Sequence, residues 1–314
     1  MPKTRNPRRG SLAYWPRKRA AKEVPRLRAV TEPKEAKLNA FPGYKVGMTT
    51  VQFIDNKKTS PTKNELIAKP ATIIECPPLK IFSVRYYRNT AYGVKLVAET
   101  LNPKLDKELA RSMVLAKKKH AIKDKLDDVD FLRLVVYTQP KLTTSGKKKP
   151  ELFELPLGSS KEDQLNFAKS NMEKEIDVKS VFSEGQLLDV HGVTKGKGLQ
   201  GPIKRYGMQL KSHKSEKSRR YGVLAAEGDA KVRYFAHMSG KMGYHLRTEH
   251  NKWIIKIVDD VKSFAHFKHY GNVRNTVMLV KGSVPGPSKR LLIFTDAKRP
   301  DKHVPKQAPE IRAM

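Results

Sequence analysis

The segment with the strongest chemical signature is rich in glycine and lysine and reads GKGLQG over residues 196–201. A GxGxxG sequence that follows a strand is typical of dinucleotide binding, because its glycines let the backbone approach a pyrophosphate. The preceding residues 186–191 do predict a strand. However, Pro202 and the KRYG sequence after it do not predict the amphipathic helix that should follow, so nucleotide binding is not favoured.

The same glycines suit another kind of phosphate contact, in which bare backbone lies against a nucleic acid. Without side chains the backbone approaches phosphates closely, and its N–H groups can form an anion-binding nest. We therefore expect close backbone approach to RNA at Gly196, Gly198 and Gly201, beside Lys195 and Lys197. A flexible surface loop is the alternative. A Walker loop is excluded, because neither the glycine spacing nor the residue after the lysine fits.

The histidines and aspartates do not indicate a catalytic or metal-binding site. No histidine of the C-terminal half stands in a recognisable spacing with both a carboxylate and a nucleophile. These histidines are His237, His245, His250, His266 and His269. The aspartates are more typical of turns and helix ends than of a two-metal nuclease centre. They are Asp127, Asp128, Asp130, Asp259 and Asp260. We predict no catalytic residues, no metal and no cofactor.

The charge balance indicates the partner. The 314 residues include 64 Lys and Arg against 31 Asp and Glu, a formal net charge of +33. Such a chain needs a polyanion, and nucleic acid is favoured because each phosphate contact releases a counterion. No segment approaches the roughly 20 apolar residues of a membrane span, and the basic start is no secretory signal. The single Cys76 excludes an internal disulfide and a cysteine zinc finger, so we expect a cytoplasmic protein without membrane or small-molecule partners.

Two basic segments lack the apolar periodicity of a core. Residues 1–40 predict an extended arm whose aromatic side chains stack on bases or pack into RNA grooves, and a disordered tail is the alternative. Residues 195–252 hold 14 Lys and Arg against 4 Asp and Glu, with eight glycines, and predict an extension that projects into RNA. The candidate RNA-binding residues of the arm are Arg8, Arg9, Tyr14, Trp15, Arg17, Lys18 and Arg19.

The rest of the chain predicts a mainly β fold with α insertions. Short runs rich in Val, Ile, Tyr and Phe favour an antiparallel β-barrel with one core over a parallel α/β sheet. The barrel body comprises residues 41–194 and 253–300, and residues 301–314 form a C-terminal tail. The predicted strands are 44–54, 71–75, 81–87, 92–99, 131–137, 186–191, 253–258, 275–280 and 290–294.

Helical periodicity predicts two insertions into this body. The first lies near residues 103–125 and the second near 160–176, where Ser160 begins a sequence similar to a capping box. Apolar residues recur in both at threefold and fourfold spacing, which predicts packing helices. They are Leu105, Leu109, Met113 and Ala116 in the first insertion, and Leu165, Ala168, Met172 and Ile176 in the second.

Several sequence blocks occur in order along nearly the whole chain. They are RGSLAYWPRKRA at 9–20, PGYKVGMT at 42–49, HGVTKGKGLQG at 191–201, GKMGYHLRTE at 240–249, HYGNVRN at 269–275 and KGSVPGP at 281–287. These blocks resemble the L-three family of large-subunit ribosomal proteins. The long N-terminal arm and the helical insertions resemble its archaeal and eukaryotic branch. The resemblance implies a translation-protein-like barrel without catalytic activity, with large-subunit rRNA and neighbouring ribosomal proteins as partners. It also implies a role in early assembly and an extension that reaches toward the peptidyl transferase centre.

By position, the resemblance implies phosphate contacts at the root of the extension and along its length. These residues are Lys195, Lys197, Lys204, Arg205, Lys211, Lys214, Lys217, Arg219, Arg220, Lys241 and Arg247. The family commonly has a tryptophan at the extension tip, whereas residues 226–230 read AEGDA here, and Trp253 lies beyond the extension. We therefore expect no close parallel in the function of the tip.

Two other functions stay open at this point. An RNA-modifying enzyme would bind a nucleotide cofactor at the GxGxxG turn, and a peripheral binder of anionic membranes would need no shaped extension. The arm and the extension have few side chains to bury against about 1–2 kcal/mol of backbone entropy per residue. We therefore predict that both are largely disordered in the free protein.

Overall fold

The computed structural model describes residues 7–28, 35–116, 128–210, 212–214, 232–261 and 263–313. The chain divides into two compact units. The first unit comprises Met1–Lys22 with Val193–Leu246, and the second comprises Glu23–Gly192 with Arg247–Met314. Most of the regular secondary structure of the described residues consists of antiparallel strands, with few helices, which confirms the predicted mainly β fold class.

The elements of the described residues are as follows in chain order. The strands are β1 (Ala40–Ile54), β2 (Leu66–Glu75), β3 (Lys80–Thr90), β4 (Gly93–Leu101), β5 (Phe131–Tyr137), β6 (Leu152–Pro156), β7 (Leu187–Val193), β8 (Leu199–Gln200), β9 (Gly240–Lys241), β10 (Leu246–Val258), β11 (Val277–Lys281), β12 (Leu291–Asp296) and β13 (Ile311–Ala313). The helices are α1 (Lys161–Asn171) and α2 (Pro202–Tyr206), with short 3-10 turns at Leu12–Tyr14, Lys107–Arg111, Pro140–Leu142 and Val178–Ser180.

Six of the described strands close into a barrel. Their order is β12-β7-β10-β11-β2-β1, and β1 also pairs with β12 in an antiparallel ladder that begins with Ala40 opposite Thr295. Closure leaves few exposed strand edges. Register shifts at Val46 in β1 and Ile255 in β10 mark bulges, which increase the local twist and help a small sheet to close.

The barrel strands are buried on both faces, which explains their continuous apolar sequences. In β11, Val277 and Leu279 belong to one hydrophobic cluster, whereas Met278 and Val280 belong to another. Successive side chains of a strand point to opposite faces, so each face has its own cluster. The prediction of one core for all the strands was therefore wrong, because the described residues form separate clusters.

A second sheet of the same unit has the strand order β4-β3-β5-β6. Helix α1 packs on it through Leu165 and Ala168, which are buried. The side-chain oxygen of Gln164 accepts the Leu132 backbone N–H at 2.8 Å, which fixes the helix to β5. Ser160 caps α1 by accepting the Asp163 N–H at 3.3 Å, as the sequence predicted.

The two helical predictions had different outcomes. The four apolar residues predicted for the second insertion are all buried, although α1 ends at Asn171 and Ile176 lies in a β-bridge with Leu79. In the first insertion the prediction was wrong for the described residues up to 116, which contain only a 3-10 turn. Asp106 explains the difference, because its carboxylate accepts hydrogen bonds from Lys80 and Tyr137 and holds the chain in an irregular path. Residues 117–125 lie outside the described residues.

All nine predicted strands occur; β5 has the predicted ends and the other eight have shifted ends. The largest shift is in β10, which begins at Leu246, seven residues before the predicted start. Four strands of the described residues were missed: β6, which contains a glutamate and a proline, the two-residue strands β8 and β9, and β13, which pairs with the end of β1 at Phe53. All four are short, and short strands carry little period-two pattern in their sequence.

A buried tyrosine–carboxylate pair lies beside the barrel in the second unit. The Tyr270 hydroxyl donates to Glu75, which is fully buried at the end of β2. Burial and then the charge of Glu75 raise the pKa of Tyr270 far above its ordinary value. The folded state therefore favours the neutral form of this tyrosine.

Because of this pair, the stability of the folded chain should vary with pH in the alkaline range. We expect the free energy of unfolding to fall above about pH 10, where an unfolded tyrosine loses its proton and the folded Tyr270 retains it. The folded state then binds more protons than the unfolded state, and the loss is at most about 1.4 kcal/mol per pH unit for one residue. Urea unfolding across this range measures the slope. In the Tyr270→Phe variant the free energy of unfolding should fall less steeply with pH. An equal slope in both proteins would contradict the raised pKa of Tyr270.

Candidate nucleic-acid interface

The first unit concentrates the positive charge of the chain. Residues 1–22 and 193–246 contain 20 Lys and Arg against 3 Asp and Glu, which is +17 of the total +33. The three acidic residues lie outside the described residues, so the described part of this unit presents cations without any carboxylate. The described residues of this unit therefore form no ion pair among themselves, and their net positive charge attracts an external anion.

The glycine-rich segment is one side of an antiparallel hairpin. Strands β8 and β9 pair with Leu199 opposite Lys241. The hairpin continues as the Lys197 N–H donates to the Met242 carbonyl and the Met242 N–H donates to the Gly198 carbonyl, both at 2.9 Å. A dinucleotide fingerprint instead lies in a parallel βαβ unit, so this geometry does not support nucleotide binding.

A short helix does begin at Pro202, which the sequence analysis did not predict. Helix α2 has five residues and starts with a proline, whose fixed φ and missing N–H suit a first helical turn. The residue that caps its C-terminus is Gly207, which has φ +66° and donates its N–H to the Ile203 carbonyl at 2.8 Å. The helix is short, and its main role is to place its last residue, Tyr206.

The glycines of the hairpin differ in what surrounds them. At Gly198 and Gly201 a Cβ would meet nothing within 4 Å, and at Gly196 it would touch Tyr244 at an ordinary 3.7 Å. Close approach of RNA to these three residues therefore stays a prediction. Gly243 is different, because it has φ +76° and a Cβ there would lie 2.1 Å from the Lys195 carbonyl oxygen. Backbone packs directly on backbone at this residue.

Tyr206 is the centre of packing in the first unit. Trp15 of the arm stacks on it, with ring centroids 5.9 Å apart and planes 6° apart. Arg17 lies over the same ring at 4.6 Å and Arg205 at 5.2 Å. Gly10 completes the cluster, since a Cβ there would be 2.7 Å from the Tyr206 ring. Arm and extension thus share one aromatic cluster with guanidinium groups held against it.

Backbone contacts hold the arm along its length. The buried His245 donates Nδ1–H to the Lys18 carbonyl at 2.7 Å, which sets its tautomer. The Ala20 N–H donates to the Tyr244 carbonyl at 2.8 Å, and Arg19 lies 5.1 Å above the Tyr244 ring. The contacts nearer the start of the chain are Arg8 with Phe235 and Arg9 with His237.

The predicted RNA-binding residues fall into three groups. The exposed group is Arg8, Arg9, Tyr14, Lys18, Arg19, Lys195, Lys197, Lys204, Lys214 and Lys241. The half-buried group is Trp15, Arg17 and Arg205, whose ring or guanidinium faces lie in the Tyr206 cluster, and Arg247 on β10 of the second unit. The third group lies outside the described residues, as does the predicted tip at 226–230, and comprises Lys211, Lys217, Arg219 and Arg220.

The sequence analysis missed the role of Tyr206. Its signal was an aromatic residue directly before Gly207, within the KRYG block, but nothing in the spacing pairs it with Trp15, 191 residues earlier. Trp15 was expected to stack on bases or pack into RNA grooves, and its contact with RNA stays a prediction. In the structure one of its ring faces is stacked on Tyr206, so Trp15 also packs inside the first unit.

One histidine does pair with a carboxylate, which the sequence analysis did not expect. In the second unit His250 donates Nδ1–H to Asp189 at 2.8 Å, and Asp189 is buried. The two residues are 61 apart, so spacing did not reveal the pair. No hydroxyl or thiol of the described residues bonds to His250 to make a nucleophilic set. Burial lowers the pKa of the neighbouring His191, which is therefore uncharged at neutral pH.

The described residues contain no group of three or more His, Cys, Asp and Glu arranged to hold a metal ion. No helix in the same part of the chain is long and apolar enough to cross a membrane. What the described first unit offers chemically is cations, aromatic rings and open backbone N–H groups.

Comparison with known proteins shows that this chain is similar to ribosomal proteins. The chain is 45% identical to the large ribosomal subunit protein uL3 of Archaeoglobus fulgidus, over 96% of this chain and 94% of the relative. It is 43% identical to the protein of the same name from Methanosphaera stadtmanae, over 95% of this chain and 94% of the relative. The model of the family described as Ribosomal protein L3 matches residues 1–313. The chain belongs to the Ribosomal protein L3 family, which confirms the resemblance carried by its sequence blocks.

Proposed function

We propose that the chain is a structural constituent of the large ribosomal subunit and binds large-subunit rRNA through its first unit. It has no catalytic role, and the chemistry of peptide transfer stays with the RNA. The proposal includes support of early subunit assembly beside neighbouring ribosomal proteins in the cytoplasm. We also propose that the extension reaches toward the peptidyl transferase centre.

The observation that carries the proposal is the absence of carboxylates from the described part of a unit rich in Lys and Arg. Each phosphate neutralised by such a residue releases condensed counterions, which favours binding at low salt. The Tyr206 cluster supports it further. The described part of the arm packs on the extension, where the sequence predicted disorder, and a packed arm loses less conformational entropy when RNA binds. Anionic vesicles would attract the same charge but do not require a shaped surface.

The proposal is tested by sedimentation of native lysate through a magnesium-containing gradient after a high-salt wash. We expect one copy of the chain per large subunit. A chain recovered free would overturn the proposal and turn attention to nucleotide binding at residues 196–201. A chain recovered on vesicles would instead indicate a peripheral membrane protein.

Single cations of the hairpin should contribute separately to rRNA affinity. Lys197→Ala should weaken binding and reduce the magnitude of the salt slope by about one, because one phosphate contact is lost. The side chain of Lys197 is exposed and has no partner among the described residues, so the hairpin should remain folded. Filter binding across a range of potassium chloride concentrations measures the slope. An unchanged slope would place this side chain in solvent.

Arg205→Ala should also reduce the slope by about one, but with a structural effect added. Arg205 donates Nη1–H to the Met238 carbonyl at 3.0 Å and lies against Tyr206, so its loss should destabilise the first unit as well. Lys104→Ala is the matched control, since Lys104 is an exposed lysine of the second unit that is already paired with Glu173. Its variant should retain the wild-type slope.

A further inference from the structure

A second group of cations lies on the second unit, where a turn and a loop distant in sequence meet. The turn is residues 143–149 and the loop is residues 264–275, and we call them together the turn-loop surface. The Thr144 hydroxyl donates to the Asn272 carbonyl at 2.6 Å. Gly271 lies beside Thr144 and has φ +97°, a backbone conformation that favours glycine. The two segments therefore form one continuous surface.

A buried carboxylate holds the loop from inside the unit. Glu75 is 0% exposed, and its Oε1 accepts the backbone N–H groups of Arg274 at 2.9 Å and Asn275 at 3.0 Å. The same oxygen accepts the Asn275 side-chain amide at 2.7 Å, while Oε2 accepts the Tyr270 hydroxyl. No lysine or arginine of the described residues pairs with Glu75. Donors of the loop satisfy its buried oxygens, so displacing the loop would leave a buried carboxyl group without these hydrogen bonds.

The loop is strained where it faces solvent. His266 and His269 are exposed and have φ of +59° and +65°, a conformation that costs a residue with a side chain about 1–2 kcal/mol. Phe264, Tyr270 and Val273 are buried beneath them and compensate for this cost by packing. Strain that the surrounding structure maintains is common where a backbone shape serves binding.

Charges on this surface are separated by sign. The cations face solvent without an ion pair or side-chain hydrogen bond among the described residues, and they are Lys148, Lys149, Lys268 and Arg274. The carboxylates lie beneath and have partners. Glu75 is bonded to the loop, and Glu151, with a side chain 9% exposed, pairs with Lys147 and accepts the Tyr44 hydroxyl at 3.1 Å. An approaching anion therefore meets positive charge on a surface of fixed shape.

We propose that the turn-loop surface binds the phosphodiester backbone of RNA, as a contact separate from the first unit. The inference rests on the proposed function and adds a second binding surface to it. Because the loop is already ordered, its cations lose little conformational freedom on binding. The described residues of the surface include no exposed Trp, Tyr or Phe, so it contacts phosphates without stacking on bases and positions the protein without reading sequence.

Directed cleavage of RNA tests the location of the contact. Cys76 is the single cysteine and is buried, so Lys268→Cys introduces the one reactive thiol needed to tether an iron chelate. With the full chain bound to large-subunit rRNA, we expect strand cleavage at a discrete set of positions. The same chelate on Lys161→Cys, an exposed residue that begins α1, should not reproduce that set. Bound chain with no cleavage from residue 268 would overturn the inference.

Removing the cations tests how much the same contact contributes to the affinity for rRNA and to its salt dependence. The variant with alanine at Lys148, Lys149, Lys268 and Arg274 should reduce the magnitude of the salt slope by about two to four, because up to four phosphate contacts are lost. These residues are exposed, so circular dichroism and urea unfolding should match the wild type. Thr144→Val keeps every charge and should weaken binding by about threefold through the added cost of ordering the loop.

The outcomes separate this inference from the proposed function. The control variant Lys104→Ala with Lys179→Ala removes cations that are paired with Glu173 and Asp259, and its slope should be unchanged. If Lys197→Ala reduces the slope while the fourfold variant matches the wild type, the turn-loop surface does not bind RNA and the proposed function stands. If the wild-type chain does not bind large-subunit rRNA, the proposed function fails as well.

Discussion

Tyr206→Ala should release the arm from the extension and destabilise the first unit by about 3–5 kcal/mol, the usual effect of truncating a buried aromatic residue. The ring of Tyr206 contacts Trp15, Arg17 and Arg205, so its removal exposes a stacked ring and frees two guanidinium groups together. Amide exchange should increase at Ala20, whose N–H is bonded to the Tyr244 carbonyl. Affinity for rRNA should fall because the arm must then be ordered on binding.

Tyr206→Phe is the matched control. The Tyr206 hydroxyl is buried and has no hydrogen-bond partner among the described residues, so its removal should leave stability unchanged or increase it slightly. The stacking on Trp15 and the contacts with both arginines are retained. If the phenylalanine variant lost as much stability as the alanine variant, the hydroxyl would be the important group and the stacking argument would be wrong.

Gly243→Ala should open the base of the β8–β9 hairpin and cost about 3 kcal/mol or more. The left-handed backbone at Gly243 and the 2.1 Å approach of a Cβ to the Lys195 carbonyl act together, and backbone atoms cannot move aside as a flexible side chain can. Amide exchange of Lys197 and Met242, whose N–H groups bond across the hairpin, reports the opening. Binding to rRNA should weaken because Lys195 and Lys197 lose their fixed positions.

Gly198→Ala separates the effect of left-handed backbone from the effect of the close contact with the Lys195 carbonyl. Gly198 has φ +67°, close to that of Gly243, but a Cβ there would meet nothing within 4 Å. Its alanine variant should cost only about 1–2 kcal/mol, the price of left-handed backbone alone. Equal losses in the two variants would show that the contact with Lys195 is unimportant. A loss of RNA affinity in Gly198→Ala without a loss of stability would support close backbone approach to RNA at this residue.

The fold was predictable to the extent that it depends on local pattern. Nine strands were found from runs of Val, Ile and aromatic residues, and the capped start of α1 from Ser160, because both depend on neighbours in sequence. The helix predicted near 103–125 was not found in its described part, because Asp106 bonds to Lys80 and Tyr137, contacts that no periodicity encodes. Tertiary hydrogen bonds prevailed over helical propensity there.

The candidate site was predictable in composition and unpredictable in arrangement. Lys197 and Lys204 were identified as candidates from charge and sequence blocks, and both side chains are exposed. Arg17 and Arg205, identified in the same way, lie against the ring of Tyr206, since a guanidinium is attracted to the face of an aromatic ring. The turn-loop surface was not predicted, since its turn and loop are more than 100 residues apart.

The sequence by itself determined that this chain is a strongly basic, mainly β protein of the Ribosomal protein L3 family. Those properties follow from composition, from the apolar pattern of the strands and from sequence blocks that resemble the family, which are all readable along the chain. Only the tertiary structure decided that the barrel closes through β1 and β12, that Tyr206 joins the arm to the extension, and that Glu75 holds a loop from within. Each of these is a contact between distant segments, and its free energy depends on burial and geometry that exist once the chain has folded.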